Sequence, residues 1–161
     1  MTVNPLATAE PWDLVAEAYT AEALPHFELF ARAALAAAAL PPGARVADVA
    51  AGPGTLGLLA AAAGSHVSAI DLSSEMTARF RARAAAMGLA DLCDIREGDG
   101  QRLPFPSGTY DAAFSLFGLM FFPDRQAGFR ELRRILKPGA PAIVSSWVPF
   151  PGPFGALMQV T

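Results

Sequence analysis

Cysteine is almost absent from this 161-residue sequence, in which Cys93 is the single example. One cysteine excludes a disulfide within the chain and any metal site built from several cysteines. Histidine is nearly as rare, with His26 and His66 alone. Since no cluster of histidines and acidic residues has the spacing of metal ligands, we predict no metal site. The low cysteine content fits a reducing compartment, and we expect a cytoplasmic protein.

An excess of basic charge is also missing, because 12 Lys and Arg stand against 15 Asp and Glu. Without a dense run of Lys and Arg, a nucleic-acid partner held through phosphates is disfavoured. The most apolar stretch, 33–42, is about half as long as the ~20 residues that a membrane span needs. The N-terminus lacks the basic-then-apolar order of a signal peptide. We therefore expect neither nucleic acid nor a membrane as a partner.

What the sequence does contain is an alternation of apolar strands and amphipathic helices. The pattern predicts five strands, at 44–49, 66–72, 93–99, 110–119 and 141–147. Helices are predicted between them at 55–64, 75–88 and 125–137. This alternation is typical of a doubly wound α/β fold, a Rossmann-like and mostly parallel sheet. Right-handed crossovers then bring the carboxyl ends of all strands to one edge, where such sheets bind ligands.

Two further helices, predicted at 12–20 and 25–40, precede the first strand. We divide the chain accordingly into an N-terminal helical segment, 1–40, and a Rossmann-like domain, 41–161. We expect the first part to cover a ligand site on the second.

The stretch "VADVAAGPGTLG", 46–57, suggests two different ligands. Gly52, Gly54 and Gly57 satisfy the dinucleotide pattern G-x-G-x-x-G. In a pyrophosphate site, however, the turn presents N–H groups to an anion, so a carboxylate at Asp48 would oppose the ligand. S-adenosylmethionine instead carries a sulfonium and an ammonium cation, which an acidic residue favours. Gly52 and Gly54 would let the backbone pass close to either ligand.

Two more acidic residues follow the next strands. Asp71 ends the second strand and can accept hydrogen bonds from both ribose hydroxyls, a role that serves NAD and S-adenosylmethionine equally. Asp99 ends the third strand and can accept from the adenine amino group. Met76 and Leu103 are candidates to sandwich the adenine ring.

In order along the chain, these segments resemble class I S-adenosylmethionine-dependent methyltransferases of the type that includes ubiquinone and menaquinone biosynthesis enzymes. The resemblance is carried by "WDLVAEAY", "VADVAAGPG", "AIDLSSEM", "GDGQRLPFPSGTYDAAFS" and "FRELRRILKPGA" followed by "PAIVSSW". It implies methyl transfer from S-adenosylmethionine to a small-molecule acceptor. It also implies further cofactor contacts from Tyr19, Ala50, Leu72, Gly100 and Ser115.

The sequence departs from the family pattern in two ways. Ala50 and Ala140 stand where the family usually has glycine, and we expect alanine at position 50 to resist a positive φ. The family also adds a sixth and a seventh strand, which we cannot place. We therefore expect the cofactor-binding portion of a longer enzyme, with an exposed fifth-strand edge through which the chain could associate with itself.

No catalytic residue can be assigned from the sequence. Methyl transfer needs alignment and exclusion of water, and a base only where the acceptor must lose a proton. The run "FGLMFF", 117–122, could wall an apolar or aromatic acceptor pocket. Two alternatives stay open: an NAD(P)-dependent oxidoreductase, and a degenerate domain that binds a cofactor or a partner without turnover.

Overall fold

The computed structural model describes residues 4–147. Its centre is a parallel sheet in the order β3-β2-β1-β4-β5, which confirms the predicted α/β, Rossmann-like class. The strands are β1 (Arg45–Val49), β2 (His66–Asp71), β3 (Cys93–Glu97), β4 (Ala112–Leu116) and β5 (Ala142–Ser145). The helices are α1 (Glu10–Ala18), α2 (Leu24–Ala38), α3 (Thr55–Ala62), α4 (Ser74–Ala86) and α5 (Arg125–Ile135).

The central strand β1 is buried because helices cover both faces of the sheet. Val46 points to one face and packs with Ala31 of α2 and Leu56 of α3. Val49 points to the other face, in a cluster that includes Leu132 of α5. Such two-sided burial explains why β1 and β4 are nearly continuous apolar runs.

The strand order reverses direction at β1. After β1 the chain adds β2 and then β3 on one side of the sheet, and β4 and then β5 on the other side. The helices that leave β1 and β4 therefore lie on opposite faces, and a crevice opens between the two strand ends. A ligand site is therefore expected at the loops after Val49 and Leu116.

The N-terminal helices differ from the prediction in how they join. Between α1 and α2 the chain forms a π-helical turn, Tyr19–Ala23, in which Leu24 N–H donates to Tyr19 O. Pro25 lacks an N–H and so tolerates a place in the first turn of α2. Helix α2 ends at Ala38, two residues before the predicted end, because Ala39 takes a left-handed conformation.

The fifth strand lies at one edge of the sheet. Among residues 4–147, β5 pairs with β4 alone. The predicted strand at 141–147 is shorter in the structure, and residues 148–161 lie outside the described part. Within that part no helix is long and apolar enough to cross a membrane.

Candidate functional site

A cavity opens at the carboxyl ends of the strands, where the strand order reverses. Its empty volume is about 970 Å³, including the part open to solvent. Eight of the predicted cofactor residues line it: Tyr19, Ala50, Gly52, Asp71, Leu72, Met76, Asp99 and Gly100.

We call the part around Gly52, Asp71 and Asp99 the acidic end, and the part around Phe27, Phe117 and Trp147 the aromatic end. Asp71 and Asp99 are the charged residues among the described residues that line this cavity. No Lys, Arg or His of the described chain lines it. The cavity therefore has an acidic character at one end and a largely apolar character at the other.

The loop after β1 uses its two glycines for different purposes. Gly52 has φ +55, and a Cβ added there would meet nothing within 4 Å. Gly54 has φ +84, and a Cβ there would lie 2.3 Å from the Phe80 ring. Gly52 thus leaves space at the cavity wall, whereas Gly54 permits α4 to pack beneath the loop. Sequence reasoning predicted ligand approach for both, but the structure places Gly54 away from the cavity lining.

Ala50 contradicts the expectation that its backbone would resist a positive φ, because its φ is +57. The left-handed conformation costs roughly 1–2 kcal/mol for a residue with a Cβ. The neighbouring residue that makes room is Gly118, where an added Cβ would lie 2.3 Å from the Ala50 Cβ. The methyl group of Ala50 thus occupies space that Gly118 leaves open.

Asp48 lies behind the glycine loop rather than on the larger cavity. Its side chain is 2% exposed, and its Oδ2 accepts a hydrogen bond from Gly57 N–H at 3.0 Å. It borders a smaller cavity that shares Tyr19, Ala50 and Gly52 with the larger one. Burial raises the pKa of Asp48 to about 7, and the nearby Asp71 carboxylate adds to the rise. A cation arriving beside Asp48 would stabilise its ionised form.

Asp71 ends β2 with both carboxylate oxygens engaged. Oδ2 accepts from Gly52 N–H at 2.7 Å and Oδ1 from Ser73 N–H at 2.9 Å. Burial raises its pKa, while these N–H groups act in the opposite direction. Since each oxygen has a second lone pair, Asp71 can still accept hydrogen bonds from a ligand.

Asp99 and Gly100 lie across the cavity from the glycine loop. Asp99 is exposed, and its Oδ1 accepts from Gln101 N–H at 2.8 Å. Gly100 is buried, and a Cβ there would lie 2.4 Å from Phe122 Cζ. The chain therefore turns closely over Phe122 at this point and leaves the Asp99 carboxylate accessible.

Two further predicted contacts, besides Asp48 and Gly54, lie outside the lining of the larger cavity. Ser115 is buried, and its Oγ accepts from Leu119 N–H at 3.2 Å, which fixes the loop after β4. Leu103 is 5% exposed and packs in the core beside α5, so it does not face Met76 across the cavity. When both faces of a segment are buried, the spacing of its apolar residues does not show which face contacts a ligand.

The aromatic end is a cluster of rings from three separate segments. Phe117 and Trp147 stack with ring centroids 4.4 Å apart. Phe27 meets Phe117 edge-on at 5.2 Å and stacks on Tyr19 at 5.5 Å. Enclosure raises the pKa of Tyr19 to about 12, so its hydroxyl stays protonated.

Phe117 holds an unusual backbone conformation, with φ +58. A positive φ is rare for a bulky residue and is found mainly where the surrounding structure imposes it. Here the Phe117 N–H donates to Ser145 O at 3.2 Å and to Ser145 Oγ at 3.1 Å. The loop is thus tied to β5 in a form that turns the ring towards Phe27 and Trp147.

Sequence reasoning missed Phe27 and Trp147 as cavity residues. Both lie far along the chain from the glycine motif, and neither belongs to a motif that marks a ligand. Trp12 and Phe121, whose rings lie 5.2 Å apart, also line the cavity. For these two the only signal was membership of the segments "WDLVAEAY" and "FGLMFF".

The fold and this cavity define a Rossmann-like domain with a candidate ligand site at the carboxyl ends of a parallel sheet. Comparison with known proteins gives the family. A family model described as "Methyltransferase domain" matches residues 46–139. The chain belongs to the class I S-adenosylmethionine-dependent methyltransferases. This membership favours the methyltransferase interpretation over an NAD(P)-dependent oxidoreductase.

Individual relatives share part of their length with this chain. An uncharacterized protein of Mycobacterium bovis is 44% identical over 113 residues, which is 70% of this chain and 40% of that protein. The demethylmenaquinone methyltransferase of Beutenbergia cavernae is 36% identical over 136 residues, 81% of this chain and 54% of its own. The chain thus spans about half the length of the curated relatives that it matches.

Among solved structures, the crystal structure of the [4+2]-cyclase SpnF superposes with a TM-score of 0.73 at 26% identity. The match covers 78% of this chain and 46% of that one. The same architecture therefore carries more than one kind of chemistry, and fold alone does not select the reaction.

Proposed function

We propose that this chain binds S-adenosylmethionine at the acidic end of the cavity and transfers its methyl group to an apolar small molecule at the aromatic end. The observation that carries the proposal is the charge distribution of one continuous wall. Carboxylates near the ends of β1 and β2 lie beside the glycine loop, and no Lys, Arg or His of residues 4–147 lines either cavity. This arrangement suits a cationic ligand and opposes a pyrophosphate.

The residues present fit the cofactor. Asp71 would hold the ribose hydroxyls through its free lone pairs, and Asp99 would accept from the adenine amino group. Leu72 and Met76, both on the cavity wall, would contact the adenine ring. Asp48, which lies behind the glycine loop and near Tyr19, would balance the positive charge of the ligand's ammonium group. Gly52 would let the backbone approach.

S-adenosylmethionine would supply an activated methyl group bonded to a sulfonium. The chain would align donor and acceptor and keep water away from them. The N-terminal segment 1–40 would close the cavity, since Leu6, Trp12 and Tyr19 form part of its wall. The protonated Tyr19 hydroxyl could orient a polar atom but would not serve as a base near neutral pH.

The aromatic end favours an acceptor that is flat, apolar and uncharged. Its rings offer stacking faces and edges, and no cationic side chain of the described residues is available there for a carboxylate or a phosphate. The Beutenbergia cavernae relative is named for demethylmenaquinone, and an acceptor of that kind would fit these walls.

Isothermal titration calorimetry of the chain with S-adenosylhomocysteine and, separately, with NADH tests the cofactor. We expect S-adenosylhomocysteine to bind and NADH not to bind. NADH binding without S-adenosylhomocysteine binding would refute the proposal.

A matched pair of ring probes tests the acceptor class. 2-Naphthol and 2-naphthoate share a ring system and differ in charge at pH 7. We expect 2-naphthol to quench tryptophan fluorescence at concentrations at which 2-naphthoate does not. Equal quenching by both probes would contradict the proposal that the aromatic end favours an uncharged acceptor.

A second candidate is cofactor binding without methyl transfer, which the likeness to a cyclase favours. Mass spectrometry would decide between the two, after incubation of the chain with S-adenosylmethionine and 2-naphthol. Methylated naphthol together with S-adenosylhomocysteine supports methyl transfer. Binding of both ligands without either product supports the second candidate.

We also propose that the edge of β5 mediates self-association. Ile143 and Val144 are half-buried there, and an unpaired apolar edge is prone to pair with another chain. Size-exclusion chromatography with light scattering tests this, and a monomer at high concentration would contradict it.

A further inference from the structure

Helix α1 is attached to the N-terminus of α4 through one carboxylate. Asp13 Oδ1 accepts a hydrogen bond from Ser73 Oγ at 2.6 Å and another from Glu75 N–H at 3.1 Å. A carboxylate at a helix N-terminus is favoured by the unpaired N–H groups and the dipole there. These hydrogen bonds, that from Ser73 first, lower the pKa of Asp13, so it is ionised at neutral pH.

Ser73 also belongs to the ligand site. It is fully buried, its N–H donates to Asp71 Oδ1 at 2.9 Å, and its Oγ accepts from Met76 N–H at 3.0 Å. Asp71 in turn accepts from Gly52 N–H through its other oxygen. A continuous chain of hydrogen bonds therefore runs from Asp13 to the glycine loop.

The same helix brings two rings to the cavity. Trp12, next to Asp13, lines the cavity and packs on Phe121. Tyr19 follows directly after α1 and lines the cavity beside Asp71. Docking of α1 on α4 consequently completes the cavity wall and supplies an acceptor for Ser73 Oγ, while the N–H of the same residue donates to Asp71.

We propose that Asp13 is a positioning residue that couples closure of the N-terminal helix to the orientation of Asp71. The inference rests on the proposed function, in which Asp71 holds the ribose. With α1 docked, Ser73 is held from both sides and presents its N–H to Asp71. With α1 released, Ser73 loses the Asp13 carboxylate and is held only by its local hydrogen bonds with Asp71 and Met76. Ligand binding at Asp71 and docking of α1 therefore reinforce each other.

A second contact between the same two helices provides a control. Glu17 of α1 lies 3.5 Å from Arg79 of α4, measured from Oε2 to Nη2. The Glu17 side chain is 86% exposed, and an exposed ion pair of this kind contributes little to stability. Glu17→Ala removes a carboxylate from the same helix and the same interface without touching Ser73.

The experiment compares wild type, Asp13→Ala, Asp13→Asn and Glu17→Ala. Calorimetry measures the affinity for S-adenosylhomocysteine, and hydrogen exchange measures amide protection in 10–18 with and without that ligand. We expect Asp13→Ala to weaken binding at least about 10-fold and to abolish the ligand-induced protection of 10–18. Asp13→Asn should recover part of both, since an amide oxygen still accepts from Ser73. Glu17→Ala should stay within about 2-fold of wild type.

Several results would overturn the proposal. One is an equal affinity of Asp13→Ala and Glu17→Ala for S-adenosylhomocysteine. Another is a lower melting temperature of Asp13→Ala while its affinity for this ligand and the amide protection of 10–18 stay unchanged. If the wild type fails to bind S-adenosylhomocysteine, the proposed function is refuted. The exchange rates of 10–18 without ligand then still decide on the attachment, since equal rates in Asp13→Ala and Glu17→Ala would refute it.

Discussion

At its acidic end the cavity is shaped by backbone N–H groups bonded to carboxylates, whereas at its aromatic end it is shaped by rings packed on one another. Asp48 accepts a hydrogen bond from Gly57 N–H in the first turn of α3, and Asp71 accepts one from Gly52 N–H in the loop after β1. The side chains of Phe117 and Trp147 contact each other by ring stacking. Directional hydrogen bonds specify one geometry, while ring contacts tolerate exchange of one apolar side chain for another. The comparison indicates that the fold fixes the geometry of the acidic end more closely than that of the aromatic end.

The substitution expected to destabilise the protein most is Gly54→Ala, beside the acidic end. The added Cβ meets the Phe80 ring at 2.3 Å and is forced to φ +84, so we expect a loss of about 3 kcal/mol in the free energy of unfolding. Chemical denaturation measures it. Gly52→Ala is the matched control: its Cβ meets open space, so it should lose only about 1 kcal/mol of stability while weakening S-adenosylhomocysteine binding. Similar stability losses in both variants would contradict the separate roles of the two glycines.

Asp48→Asn tests whether a buried charge is maintained at the acidic end. Because the pKa of Asp48 is about 7 in the folded protein and 3.8 in a model compound, the folded state binds more protons than the unfolded state between these values. The wild type therefore loses stability as pH rises from about 4 to about 8, by up to about 4 kcal/mol from this group. The variant should lack this loss, and urea denaturation at pH 5 and pH 8 measures the difference.

The same variant should bind S-adenosylhomocysteine about 10-fold more weakly at pH 8, where it lacks the negative charge of the wild type. Greater stability with weaker binding is the expected pair of results. If wild type and variant change equally with pH, Asp48 is ionised throughout this range and burial does not raise its pKa.

Ala50 and Gly118 join the two ends, and a double-mutant cycle measures their contact. Gly118→Ala places a Cβ 2.3 Å from that of Ala50 and should cost about 2 kcal/mol. Ala50→Gly removes the energetic cost of a Cβ at a positive φ but increases the conformational entropy of the unfolded chain. We expect a net stabilisation of the folded state by about 0.5 kcal/mol. In the double variant the cost of Gly118→Ala should fall below about 0.5 kcal/mol. Additive changes would show that the loops relax independently.

The smallest effect on stability is expected at the aromatic end, for Trp147→Ala. Trp147 is 43% exposed, so we expect a loss of less than about 1 kcal/mol in stability and an unchanged affinity for S-adenosylhomocysteine. Binding of 2-naphthol, followed by calorimetry, should weaken several-fold. A loss of S-adenosylhomocysteine affinity would show that the two ends of the cavity are not separable.

The sequence by itself determined the sheet, the family and the acidic end. Alternating strands and helices require parallel strands, and parallel strands bring Asp48, Asp71 and Asp99 to one edge. These are local sequence patterns, and the right-handed connections between parallel strands determine how the strands are arranged. The π-helical turn at Tyr19–Ala23 was not predicted, since it depends on how α1 docks rather than on residue preference.

Only the tertiary structure decided which of these residues face the cavity and what completes it. Gly54 faces Phe80, Ser115 holds its own loop, and Asp13 meets Ser73 across 60 residues of chain. Ala50 takes a positive φ because Gly118 leaves room for its methyl group. The contacts of Gly54 and Asp13 join residues distant in sequence, and their energies depend on packing that no local pattern encodes. The type of ligand site thus follows from the sequence, while its closure and its aromatic wall follow from the packing of distant segments.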